Sequence, residues 1–156
     1  AEEAQSISAD VKNSSRLEQL VFSRWCQVMF RFEKSMYADP DQDLNKLWWD
    51  LVEQYQMLKK PADRNNADWA SKIHVALYPC YYHNYQLGEL LASQLQAYIS
   101  AGAGISDAAS LSKDPAIGSY LLENVFKPGA KYQWNDMIKR ATGEELTARY
   151  YAGEFL

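Results

Sequence analysis

Between residues 44 and 58 the apolar side chains Leu44, Leu47, Trp48, Leu51, Tyr55 and Leu58 recur at spacings of three and four. That period lays side chains along one stripe of an α-helix, and an alternating strand cannot reproduce it. The pattern predicts an amphipathic helix over residues 40–59, opened by Asp39 and Pro40, since Asp caps a helix and Pro suits its first turn. Upstream, Leu17, Leu20, Val21, Phe22, Trp25, Val28, Met29 and Phe32 are apolar nearly all round the helical wheel. A buried helix over 14–37 is expected there, with Asn13, Ser14 or Ser15 as its N-cap.

The rest of the chain reads in the same way. Residues 61–68 form a loop by their Asn, Asp and Pro content, and 69–78 predict a short extended piece or an irregular helical turn. Pro79 opens a helix over 79–100 that Gly102 and Gly104 close, followed by a small-residue loop over 101–114. Pro115 starts a helix carrying Ile117, Tyr120, Leu121 and Val125, which Pro128 and Gly129 break. Trp134, Met137, Ile138 and Ala141 make another, ended by Gly143, and Thr142 with Glu145 fits a capping box for a last helix bearing Leu146, Tyr150 and Phe155. No strand pair or hairpin is apparent. The expected class is all-α, with six or seven helices: a polar, flexible lead-in over 1–13, then a single helical domain over 14–156.

Length and charge exclude several functions. A chain of 156 residues buries roughly two thirds of its unfolded surface without staples. Its 16 Lys and Arg are scattered and the net charge is -4, so no electrostatic footprint for nucleic acid exists. No stretch approaches the roughly 18 apolar residues of a membrane span. The amino terminus lacks the basic and apolar regions of a signal peptide, and an export signal or lipid anchor further upstream in a longer, exported protein is compatible with that. Eleven Tyr and five Trp suit partly wet walls, because these rings join an apolar body to a polar edge.

Two cysteines, Cys26 and Cys80, are too few for a disulfide framework and are expected as buried thiols. His83 lies three positions beyond Cys80, but without an orienting Asp or Asn the two are not expected to form a nucleophilic pair. His74, His83 and Cys80 match no metal-binding spacing, and no HExxH occurs. Gly102 and Gly104 lack the third glycine and preceding strand of a phosphate loop, and Gly118 with Ser119 does not make GxSxG.

The chemistry gathers in residues 69–89. Lys72 and His74, two apart, share a side of an extended segment. Tyr82 and Tyr85, three apart, share a face of a helix. If the segment folds against the helix, an ammonium, an imidazole and two or three phenols converge, with no carboxylate to compete. Such a set suits an anion: a peptide's terminal carboxylate, or the oxyanion formed when a carbonyl is attacked. A wet helix interface is the plainer reading of the same residues.

The ordered segments LEQLVFSRW, LWWDLVEQYQ, WASKIH, PCYYHNYQLGEL and GAKYQWNDMIKRATGEEL resemble, over residues 16–156, the carboxy-terminal region of the angiotensin-converting enzyme family of zinc dipeptidyl carboxypeptidases (peptidase family M2). They are more loosely similar to its oligopeptidase relatives. The resemblance implies part of a larger helical metallopeptidase that removes dipeptides from peptide carboxy termini. It implies that Lys72 and Tyr82 hold the substrate carboxylate, with Tyr81 a rival to Tyr82, and that His74 and Tyr85 steady the tetrahedral intermediate. Val52 and Asn84 stand where the animal enzymes have chloride-binding arginines, so chloride activation is not expected. Zinc would belong to the parent enzyme, with ligands and general base in a missing amino-terminal half, and this fragment alone would bind none and be inactive. Its partners would be a peptide substrate and that missing half; exposed apolar surface would drive a dimer. The alternative is a non-catalytic helical module that binds a peptide or partner helix.

Overall fold

The computed structural model describes residues 2–101 and 114–156, so the expected closure at Gly102 and Gly104 and nearly all of the 101–114 loop lie outside the described residues. Seven α-helices and no strand occur among the described residues, in agreement with the all-α expectation. They are α1 (Glu2–Ala38), α2 (Leu44–Gln56), α3 (Ile73–Ala76), α4 (His83–Ser100), α5 (Pro115–Leu121), α6 (Trp134–Thr142) and α7 (Arg149–Gly153). None is long and apolar enough to cross a membrane. The chain divides into two compact units, Ala1–Gln86 and Leu87–Leu156, where the sequence suggests one helical domain over 14–156.

In the first unit, α1 includes the polar stretch expected as a lead-in. The expected N-cap at residue 39 is not used. Asp43 caps α2 instead, its carboxylate accepting from the Lys46 amide at 2.9 Å, and Met57 closes the helix in a left-handed conformation at φ 58°. The core joins Cys26, Val28, Met29 and Phe32 of α1 to Trp48, Leu51 and Val52 of α2, with Tyr82 completing it. The rings pack edge to face: Trp48 lies 5.2 Å from Phe32 and 5.8 Å from Trp25, both near 90°. Cys26 is buried as expected, whereas Cys80 is exposed, because it sits in the turn before α4 and not on a core-facing stripe.

The second unit is organised around an amide. Gln94 of α4 is fully buried. Its Nε2 donates to the Thr142 hydroxyl at 2.7 Å and to the carbonyls of Glu144 and Glu145 at 3.2 and 3.3 Å, while its Oε1 accepts from the Thr147 amide at 3.0 Å. One side chain thus satisfies the backbone between α6 and α7. The capping box expected of Thr142 and Glu145 does not form. Thr142 is the last residue of α6 and its hydroxyl returns to the Ile138 carbonyl at 2.9 Å, while Thr147 receives the first amide of α7. Gly143 closes α6 at φ 84°, as the sequence indicates.

Replacing Gln94 by Leu leaves several partly buried backbone groups without this partner, at about 1–3 kcal/mol for each that stays unpaired. We expect Gln94→Leu to lower unfolding stability in urea by roughly 2–4 kcal/mol. An unchanged midpoint would mean that water replaces the amide.

Candidate functional site

The segment carrying Lys72 and His74 is not extended. A 3₁₀ turn, Asp68–Ser71, runs into α3, and Lys72 is the single extended residue between them, at φ -79° and ψ 115°. Each short helix satisfies its own backbone, so the two side chains part instead of sharing a side. The Lys72 ammonium lies over the indoles of Trp25 and Trp48, 5.2 and 5.9 Å from the ring centres. Such cation–π placement holds an ammonium without neutralising it. His74 turns towards the tyrosines.

Tyr81 and Tyr82 come from the turn that leads into α4, and Tyr85 from the first turn of that helix. The Asn84 and Tyr85 amides bond the carbonyls of Tyr81 and Tyr82 at 2.9 and 3.2 Å, so a helical turn already begins at Tyr81. Tyr82 then faces the core while Tyr81 and Tyr85 face outward: they are 9%, 49% and 37% exposed. A hydrogen bond of 3.0 Å joins His74 Nε2 to the Tyr85 hydroxyl. The phenol donates when the imidazole proton is on Nδ1, and the imidazole donates when it is on Nε2. The His74 ring stands edge to face against Tyr82 and Tyr85, at 4.9 and 5.5 Å, and Tyr81 packs on Tyr85 at 5.6 Å.

The structure thus brings His74, Tyr81, Tyr82 and Tyr85 together and sets Lys72 apart, over the tryptophans. His74, Tyr78, Tyr81 and Tyr85 line a cavity of about 230 Å³. Tyr78 was not singled out by the sequence; its only signal is its place, four residues after His74 and three before Tyr81. Trp25 belongs to the apolar set of the buried helix in the sequence, yet its indole meets both Lys72 and the Tyr82 hydroxyl. Burial pushes the Tyr82 phenol above its ordinary range, and the Trp25 indole N–H partly offsets this. Beside the site, Asp68 accepts from the Trp49 indole at 3.1 Å and from Arg64 at 2.7 Å. Arg64 is the main cause that holds this carboxyl below its usual range, and Lys72 adds to it.

A helical scaffold with an imidazole–phenol pair in an aromatic cleft is compatible with peptide chemistry, and comparison with known families makes the class definite: this is a metallopeptidase chain. Residues 26–155 match the model of the carboxypeptidase Taq (M32) metallopeptidases, and the chain belongs to that family. No curated protein and no solved structure matches it. The match agrees with the metallopeptidase class indicated by the sequence segments, and it gives no support to an angiotensin-converting enzyme type within that class. A metallopeptidase implies zinc. Among the described residues no group of three or more His, Cys, Asp and Glu side chains could hold a metal ion, so these residues do not fit a zinc centre.

The raised Tyr82 phenol has a consequence for stability. Its folded-state pKa is above its unfolded value, so the folded chain keeps a proton that the unfolded chain loses. The contribution is complete below the ordinary value of about 10 and is lost as pH rises through the folded one. We expect stability to fall above about pH 10 and the fall to lessen in Tyr82→Phe. Urea unfolding of both proteins between neutral pH and the alkaline limit measures the difference.

Proposed function

We propose that this chain forms the substrate-binding, carboxy-terminal portion of a zinc metallopeptidase that cleaves peptides near their carboxy termini, in its finer form a peptidyl-dipeptidase. The observation that carries the reading is the 3.0 Å contact between His74 and Tyr85 in an aromatic cleft. In a family of peptidases, such a pair offers directed donors to the oxyanion that develops on the attacked carbonyl. Lys72 supplies charge for the terminal carboxylate. Tyr82 is the better second donor to it than Tyr81, because Tyr82 and Lys72 both lie against Trp25. Zinc, its ligands and the general base belong to residues outside this chain, and the chain alone is inactive.

The missing amino-terminal half is the proposed partner. Leu17, Leu20, Val21 and Phe30 of α1 are between 39% and 62% exposed, and exposed apolar surface of this kind favours association. In isolation the chain would pair with itself. Sedimentation should show a dimer at micromolar concentration; a monomer that binds no hydrophobic dye would count against a covered face.

Binding gives the direct test of the site. A short peptide with a free carboxy terminus should shift the NMR signals of Lys72, His74 and Tyr85, and its carboxy-terminal amide should not. Lys72→Ala should weaken that binding about tenfold, the scale of one charge-assisted hydrogen bond. Equal binding of acid and amide would remove the carboxylate clamp, and chelator-sensitive hydrolysis by the purified chain would remove the division of labour.

A further inference from the structure

The second unit holds a cavity that the peptidase reading does not use. It measures about 340 Å³ and is lined by Glu123, Asn124, Pro128, Tyr132, Met137 and Arg140, at the low end of the roughly 300–1,000 Å³ typical of small-molecule sites. Its backbone is irregular where the polar lining lies. After α5 the chain widens into a π-turn, Leu122–Phe126, and the Lys127 amide reaches back to the Leu122 carbonyl at 2.8 Å. Glu123 and Asn124 both sit in that turn. Single π-turns inside helices frequently mark functional sites, because the extra residue alters which side chains share a face.

In the same lining, the Arg140 guanidinium lies over the Tyr132 ring at 4.4 Å, and Lys131 approaches that ring at 5.5 Å. The ion pairs described in this unit are Lys127–Glu123, Lys139–Glu145 and Arg149–Glu144, and they leave Arg140 out. Contact with a ring face holds a guanidinium while its N–H groups stay available, the arrangement that favours two-pronged binding of a carboxylate. The Asn124 amide donates to the Tyr120 carbonyl at 2.9 Å, which leaves its own oxygen as an acceptor. Among the described residues the Glu123 carboxylate is engaged by the exposed Lys127 ammonium, at 2.8 and 2.9 Å. Pairs of that kind are weak and exchange readily.

We propose that this cavity binds a free α-amino acid as its zwitterion. Arg140 takes the carboxylate, Glu123 and the Asn124 oxygen take the ammonium, and Pro128, Tyr132 and Met137 receive an apolar side chain. A dianion such as phosphate suits the site less well, since Glu123 stands in the lining. The proposal is independent of the peptide cleft, which lies in the other unit.

The test titrates L-leucine into the 156-residue chain and follows the backbone NMR signals of residues 122–140. We expect saturable shifts there, at least tenfold weaker binding of N-acetyl-leucine and of leucinamide, and loss of binding in Arg140→Gln. Glu123→Gln should weaken leucine but not N-acetyl-leucine. Because both positions are exposed, their amide spectra should otherwise match the parent chain. Equal affinity for leucine and N-acetyl-leucine would overturn the zwitterion, and absence of saturation or full binding by Arg140→Gln would overturn the site.

Discussion

The candidate site depends on the packing of one indole. Trp48 of α2 is 3% exposed, and it meets Phe32 and Trp25 of α1 edge to face. Offset aromatic pairs of this sort add about 0.5–1.5 kcal/mol beyond the area they bury, and they also fix the rotation of one helix against another. Through that rotation Trp25 is aimed at the space between Lys72 and Tyr82. The Lys72 ammonium rests on both tryptophans, so the same rings that close the core also set the position of the only cation among the candidate residues. Core and cleft are therefore one aromatic cluster read from its two sides.

The two units hold themselves together by different means. The first relies on large rings between α1 and α2; the second has few buried large side chains and depends on the bonds of Gln94 to the backbone between α6 and α7. A ring cluster tolerates small shifts, because dispersion falls off gradually with distance, whereas a buried amide loses a bond outright when a partner moves by an ångström. Tyr120 adds to the second pattern by donating to the Ala141 carbonyl, and burial raises its phenol in turn. Precision in that unit comes from polar satisfaction more than from shape.

The sequence makes the helices legible and the approach to the site only partly so. Period three-and-four apolar residues in α2, the Gly143 stop and the start at Pro115 all survive in the structure, where Asp114 caps α5 by accepting from the Ala116 amide at 2.8 Å. Caps between competing acids were harder: Asp39 and Asp43 both precede plausible helices, and the downstream one wins because its carboxylate reaches the Lys46 amide. Lys72 and His74 look like neighbours on a strand, yet two short helices meet at Lys72 and His74 lies inside the second. The π-turn at Leu122–Phe126 has no signal in hydrophobic spacing, since one inserted residue per turn is invisible over five positions. Tyr81 and Tyr82 were inseparable by motif; only burial distinguishes them.

What separates those two adjacent tyrosines is a turn tied to α1. Cys80, the residue before them, has φ 56°, a conformation that side-chain-bearing residues adopt at some cost. Its amide donates to the carboxylate of Glu33, which is 7% exposed. A buried carboxylate needs donors, and a backbone N–H held at a fixed place supplies one. The same charge, behind burial and Cys80, helps to raise the neighbouring Tyr37 phenol. With the turn anchored in this way, the chain enters α4 in a single register, which directs Tyr82 inward to Trp25 and leaves Tyr81 and Tyr85 at the cavity. Glu33 acts here by fixing the turn, which sets Tyr82 inward and Tyr81 outward.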